Sequence, residues 1–166
     1  MKIIKVLSFL RFKNLKKIYS HLNKVILSKP DEGFIRTEIL DEIIKKRNYR
    51  TFIEIGTWDG KNLFKLAKDN PNCFFYAIDP YTADAYGDNL KNDNKQNLLL
   101  KDSEMIFKSI SLKSEVITNT EIIRRYSNEA VEQFEDESID MIFIDGLHTY
   151  EGCKRDITNY LPQVKS

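Results

Sequence analysis

Apolar residues recur along this chain with two periods, and the switching between them outlines a fold. Phe52-Ile53-Glu54-Ile55, Phe74-Phe75-Tyr76-Ala77-Ile78 and Met141-Ile142-Phe143-Ile144 are short, nearly continuous apolar runs. Runs of this kind fit strands covered on both faces of a parallel sheet. Strands are expected near 51–55, 74–78, 120–124 and 139–144, with helices near 60–69, 95–112, 128–134 and 150–160. An earlier helix, about Glu32 to Lys46, carries Ile35, Ile39, Leu40, Ile43 and Ile44 on one stripe and follows the capping signal Ser28-Lys29-Pro30-Asp31. Strands separated by helices imply crossover connections and a mostly parallel sheet. The polar stretch 81–101, with Gly87 and many Asn and Asp, reads as an excursion beside a pocket.

Residues 1–29 form a separate unit in this pattern, followed by one domain over 30–166. Leu15, Ile18, Leu22 and Val25 recur at helical steps, with Lys13, Lys16, Lys17 and Lys24 largely elsewhere on the wheel. Such a basic amphipathic helix suits peripheral contact with an anionic membrane; it equally suits packing on the domain or on a second subunit of a homo-oligomer. The whole chain of 166 residues has a net charge of +1, but residues 1–30 hold eight Lys or Arg and no acid. The rest therefore carries 18 basic against 25 acidic residues, which argues against nucleic acid as a partner. Cys73 and Cys153 are the only cysteines, too few for a disulfide scaffold, so a reducing cytoplasm is the simpler setting.

The chemistry collects where strands end. Glu54 is a carboxylate inside a buried run, costly unless it meets a partner. Gly56 and Gly60 bracket a turn that leads into a helix, and neither has a Cβ to keep the backbone from approaching a bound molecule. Asp79, 23 residues beyond Gly56, stands where nucleotide-type folds place an acid on the ribose hydroxyls; before Pro80 it also suits a turn. Ser127 fits a helix cap or an adenine rim. Asp145 and His148 share one strand end, and a carboxylate with an imidazole there suits proton abstraction from a hydroxyl, or metal ligation.

In order, Glu54-x-Gly56-x-x-x-Gly60, Asp79-Pro80 and Asp145-Gly-x-His148-x-Tyr150 resemble the class I S-adenosylmethionine-dependent methyltransferases. The similarity is greatest to the branch whose fourth strand ends in Ile-Asp-Gly-x-His-x-Tyr-Glu, and it covers about residues 48 to 164. The resemblance implies an α/β, Rossmann-like methyltransferase fold with a mostly parallel sheet and helices on both faces. It implies S-adenosylmethionine as cofactor and O-methylation of a small hydroxylated acceptor such as a sugar or glycan precursor. Glu54, Gly56, Thr57, Trp58 and Gly60 would line the methionine part, Asp79 would hold the ribose, and Pro80 and Ser127 would flank the adenine. His148 would be the general base, and Asp145 matches a position that binds a divalent cation such as Mg in several relatives.

Members of that family continue with Gly-Gly, a fifth strand, a His-Asp pair and two antiparallel strands, whereas this sequence stops at Ser166. The last strands are thus expected to be missing, with the fourth strand beside an open edge. A truncated form of a longer enzyme and a natural inactive fragment both fit. One carboxylate is also a poor cage for an octahedral Mg ion. A nicotinamide-dependent oxidoreductase shares the strand, turn and ribose acid but expects a glycine where Trp58 stands. A non-catalytic interaction module, engaging partners through the leader and the shortened sheet, is the other alternative.

Overall fold

The computed structural model describes the backbone of residues 32–82 and 93–166, and side chains over 35–82 and 102–166. The helix expected within 1–29 and its following cap lie outside the described residues. Helix α1 (Glu32–Arg47) leads into β1 (Thr51–Ile55), α2 (Lys61–Asp69) and β2 (Phe74–Ile78). Helix α3 (Asp93–Val116), β3 (Thr120–Ile123), α4 (Ser127–Ala130), β4 (Met141–Ile144) and α5 (Tyr150–Tyr160) follow. The strands form one sheet in the order β3-β2-β1-β4, and every pairing is parallel.

Strand side chains alternate between the two sides of a sheet, so each run serves two cores. Phe52, Phe75, Ala77, Met141 and Phe143 pack with Leu40 and Ile44 of α1, Leu63, Phe64, Leu66 and Ala67 of α2, and Ile110 of α3. Ile53, Ile55, Ile78 and Ile139 pack on the other side with Ala130 and Tyr160. This explains why the runs are continuous rather than alternating: both faces of the sheet pack on apolar side chains. It is the Rossmann-like arrangement expected. The same alternation puts Glu54 on the side of Phe52, beneath α1 and α2.

Three boundaries differ from expectation. The fourth strand begins at Met141 rather than 139, because the Asp140 carboxylate accepts the N–H groups of Arg50 (2.7 Å) and Thr51 (2.9 Å) and ties down the start of β1. Ile139 instead makes an isolated parallel bridge to Val164, so a short piece of chain lies beside the β4 edge. Helix α3 starts at Asp93, claiming part of the expected polar excursion, while 83–92 lie outside the described residues. The helix expected over 128–134 is a single turn, Ser127–Ala130, continued by a 3-10 turn, Val131–Gln133.

Candidate active site

Strands β1, β2 and β3 step across the sheet in one direction, and the chain then returns to place β4 on the other side of β1. Ligands of open parallel sheets collect at such a reversal, beyond the carboxyl ends of the strands. Ile55 pairs with Ile144 in register there, which brings Glu54, Gly56 and Asp145 together.

The turn after β1 is built for close contact between two strand ends. Gly56 has φ +84°, and a Cβ on it would stand 2.5 Å from the Asp145 carbonyl oxygen. The close approach is therefore to the β4 turn, where the Asp145 N–H donates to Ile55 O at 2.8 Å. Gly60 has φ +70°, and a Cβ there would meet the Phe64 ring at 2.5 Å, so glycine lets α2 begin against its own aromatic anchor. Thr57 is buried, with its hydroxyl on Glu54 O (3.3 Å); Trp58 is 37% exposed, with φ +50°.

Glu54 is 2% exposed. Its Oε1 accepts from Asn62 Nδ2 at 2.6 Å, and Asn62 Oδ1 accepts from Thr37 Oγ1 at 2.7 Å, a relay that reaches from α1 through α2 to β1. Its Oε2 is buried without a hydrogen-bond partner. Burial raises this carboxyl to about 8, against the opposing influence of Asn62 and the Arg36 guanidinium. A cationic donor from a ligand, such as the ammonium of an amino-acid moiety, would favour the ionised form of this carboxyl and give Oε2 its missing partner.

Asp79 is 2% exposed, and both its oxygens accept main-chain hydrogen: Oδ2 from Trp58 N and Oδ1 from Tyr81 N, each at 3.0 Å. It thereby ties the β1 turn to the end of β2. Pro80 follows, half-buried. Tyr81, which sequence reasoning did not single out, is buried with its hydroxyl donating to Trp58 O at 3.2 Å, a second tie across the same gap.

Ser127 is the first helical residue rather than a cap; its hydroxyl donates to Asp156 Oδ1 at 2.5 Å, and its carbonyl accepts from Tyr160 Oη at 2.9 Å. Asp156 is buried, which raises its carboxyl above the ordinary value despite the Ser127 bond. Ser127 is thus engaged with α5.

Asp145 and His148 do meet at the mouth. His148 Nε2 lies 3.4 Å from Asp145 Oδ1, with the imidazole 79% exposed. Asp145 Oδ2 is held by Arg36 Nη1 at 2.6 Å. Sequence reasoning missed Arg36, 109 residues away on a helix rich in charge. This arrangement gives the doubtful Mg site no support. Among the described residues no three His, Cys, Asp or Glu side chains converge, and a guanidinium already holds the carboxylate oxygen a cation would need. The donor set does not fit a Mg ion. A separate groove of about 450 Å³, lined by Lys61, Phe64, Lys65, Lys68, Lys113 and Ile117, includes none of these side chains.

Comparison with known proteins agrees with this fold. A family model described as a methyltransferase domain matches residues 53–166. An uncharacterized protein from Sinorhizobium fredii is 25% identical over 119 residues, 69% of this chain. The chain spans only 12% of that curated relative's length. Among solved structures, a putative caffeoyl-CoA O-methyltransferase from Staphylococcus aureus is 17% identical, with a TM-score of 0.54 over 97% of this chain and 67% of that one. A putative O-methyltransferase from Klebsiella pneumoniae is 12% identical, with a TM-score of 0.51 over 82% of this chain and 53% of its own. Spermidine synthase from Thermotoga maritima is 17% identical, with a TM-score of 0.52 over 81% and 42%. Likeness at this level is likeness of fold, and the last of these shows that the fold serves more than one named activity.

Proposed function

The chain belongs to this methyltransferase domain family, and on that premise we propose that it binds S-adenosylmethionine at the β1–β4 reversal and O-methylates a small hydroxylated acceptor. A sugar or glycan precursor is the acceptor class we favour, within the branch marked by Asp145-Gly-x-His148-x-Tyr150. The observation that carries the reading is Glu54, a carboxylate sunk at the reversal with Oε2 unpartnered, beside Asp79 at the end of the neighbouring strand.

When bound, S-adenosylmethionine would supply an electrophilic methyl group on a sulfonium sulfur, which would leave as the neutral thioether of S-adenosylhomocysteine. The protein's part is to align the reactants and manage one proton. Glu54 and the loop Gly56, Thr57, Trp58 and Gly60 bind the methionine portion; Asp79 holds the ribose, with Pro80 and Ser127 toward the adenine. The exposed His148 takes the acceptor hydroxyl proton at Nδ1, while Asp145, 3.4 Å from Nε2, stabilises the imidazolium that forms. Arg36 keeps Asp145 in place from its other oxygen.

The nicotinamide reading is not favoured: the family match is to a methyltransferase domain, and Trp58 fills a turn position where a dinucleotide fold expects glycine. Residues 30–166 act as the cofactor-binding domain, and the basic segment 1–29 as an appendage for an anionic membrane surface or a second subunit. No described helix is long and apolar enough to cross a membrane. Cys73 and Cys153 are both free and buried, with burial pushing the Cys73 thiol up to about 12; the setting we propose is a reducing cytoplasm. Thermal shift tests the central assignment. S-adenosylhomocysteine should raise the melting temperature, NADH should not, and Asp79→Ala should abolish the rise. Stabilisation by NADH alone, or an undiminished shift in Asp79→Ala, overturns it.

A further inference from the structure

We propose that Arg36, on a helix preceding the family-matched segment, takes the carboxylate of the cofactor's methionine moiety while Glu54 takes its ammonium group. This rests on the S-adenosylmethionine reading above and extends it to a residue outside residues 53–166.

The argument begins with placement. The Arg36 guanidinium lies over the Phe143 ring, 5.4 Å from its centroid, and Phe143 is the register partner of Glu54. Arg36 thus hangs over the strand pair that carries the buried acid, and its charge is felt there. Among the described residues, the buried side-chain polar atoms without a partner are Arg36 Nε, Glu54 Oε2 and Gln163 Oε1. Buried polar groups are nearly always paired, so orphans call for a cause. Two of these three sit at one place and differ in kind, one on a guanidinium and one on a carboxyl group. An amino acid carries the matching pair, a carboxylate and an ammonium on one carbon.

The contact with Asp145 does not account for Arg36 by itself. Both side chains are about one-third exposed, at 34% and 31%. An ion pair that wet contributes little against the cost of a desolvated Nε. The guanidinium has five donors in a rigid fork, so it can hold Asp145 through Nη1 and still present others to a second carboxylate. Lysine has no such fork. The relay Thr37–Asn62–Glu54 fixes the acid that receives the ammonium, and Thr37 adjoins Arg36 on the same helix. One turn of α1 therefore orients both halves of the recognition.

Titration calorimetry on the full chain tests this with S-adenosylhomocysteine, its carboxamide and 5′-methylthioadenosine, which lacks the amino-acid part. The wild type should prefer S-adenosylhomocysteine over the carboxamide by about 10- to 100-fold, the range for a hydrogen bond between charged groups. Arg36→Gln should lose that preference yet bind 5′-methylthioadenosine like the wild type. Equal wild-type affinity for acid and carboxamide, or a preference that survives Arg36→Gln, overturns the assignment. Should Arg36→Gln lose 5′-methylthioadenosine as well, the wild-type comparison alone decides. A wild type that binds none of the three overturns the cofactor reading and this inference with it.

Discussion

Asn62 donates to Glu54 Oε1 at 2.6 Å, a bond between the first turn of α2 and the interior of β1. Asn62 is itself 9% exposed and held by Thr37, so the acid is positioned by a buried amide rather than by a charge. Asn62→Ala should destabilise the fold by about 1–3 kcal/mol, because it strands a buried carboxyl oxygen. Thr37→Val should cost less, since it removes a neutral donor from an amide that retains its bond to Glu54. Urea denaturation of both variants checks the order.

Glu54 predicts a pH dependence of stability. Burial raises its carboxyl from 4.5 to about 8 in the fold. Between those values the native state holds a proton that the unfolded chain has released. Its contribution to stability is therefore full below 4.5 and is lost as pH rises through about 8. The melting temperature should fall from about pH 5 to about pH 8, and Glu54→Gln should flatten that fall. A melting curve series in which the two proteins run parallel would contradict it.

Gly56→Ala should be among the most damaging single changes. The position needs φ +84°, and the new methyl would stand 2.5 Å from the Asp145 carbonyl. Left-handed strain of about 1–3 kcal/mol combines with a backbone clash that no rotamer relieves. Loss of soluble protein, or a melting temperature lower by many degrees, is the expected result.

His148→Ala should separate chemistry from folding. The imidazole is 79% exposed, so stability should change by no more than about 0.5 kcal/mol. S-adenosylhomocysteine affinity should be unchanged, while methyl transfer to a hydroxylated acceptor falls by about 10²–10⁴-fold. Radiolabel transfer measured beside calorimetry distinguishes the two.

Magnesium should have no specific effect. Arg36 occupies Asp145 Oδ2, and no further described carboxylate or imidazole joins Asp145 and His148. Adding magnesium chloride should leave the melting temperature where an ionic-strength control leaves it, and chelation should not lower it.

Much of the fold was legible because the buried strands leave a plain record. Phe52–Ile55, Phe74–Ile78 and Met141–Ile144 are apolar on both faces, which only a doubly covered sheet requires. The Glu54 and Gly56 pattern likewise predicted the strand-to-helix turn that is seen. Boundaries failed where a side chain competes with the ladder: Asp140 binds two main-chain N–H groups, so β4 starts after it. Ser127 looked suited to a cap or to a ligand; its hydroxyl meets Asp156, 29 residues later, a contact no local pattern predicts.

The linear pattern determined the α/β class, the parallel strands and the carboxylates at their ends, because burial period and turn chemistry are local properties. Tertiary structure alone decided what those carboxylates face. Arg36 reads as a solvated charge on a polar helix, and Asn62 as a polar residue in a helix start. The return of β4 alongside β1 brings Asp145 beneath the one, and the packing of α2 on β1 sets Glu54 against the other. Partners 109 residues apart are chosen by strand order, and strand order follows from packing that no short window of sequence contains.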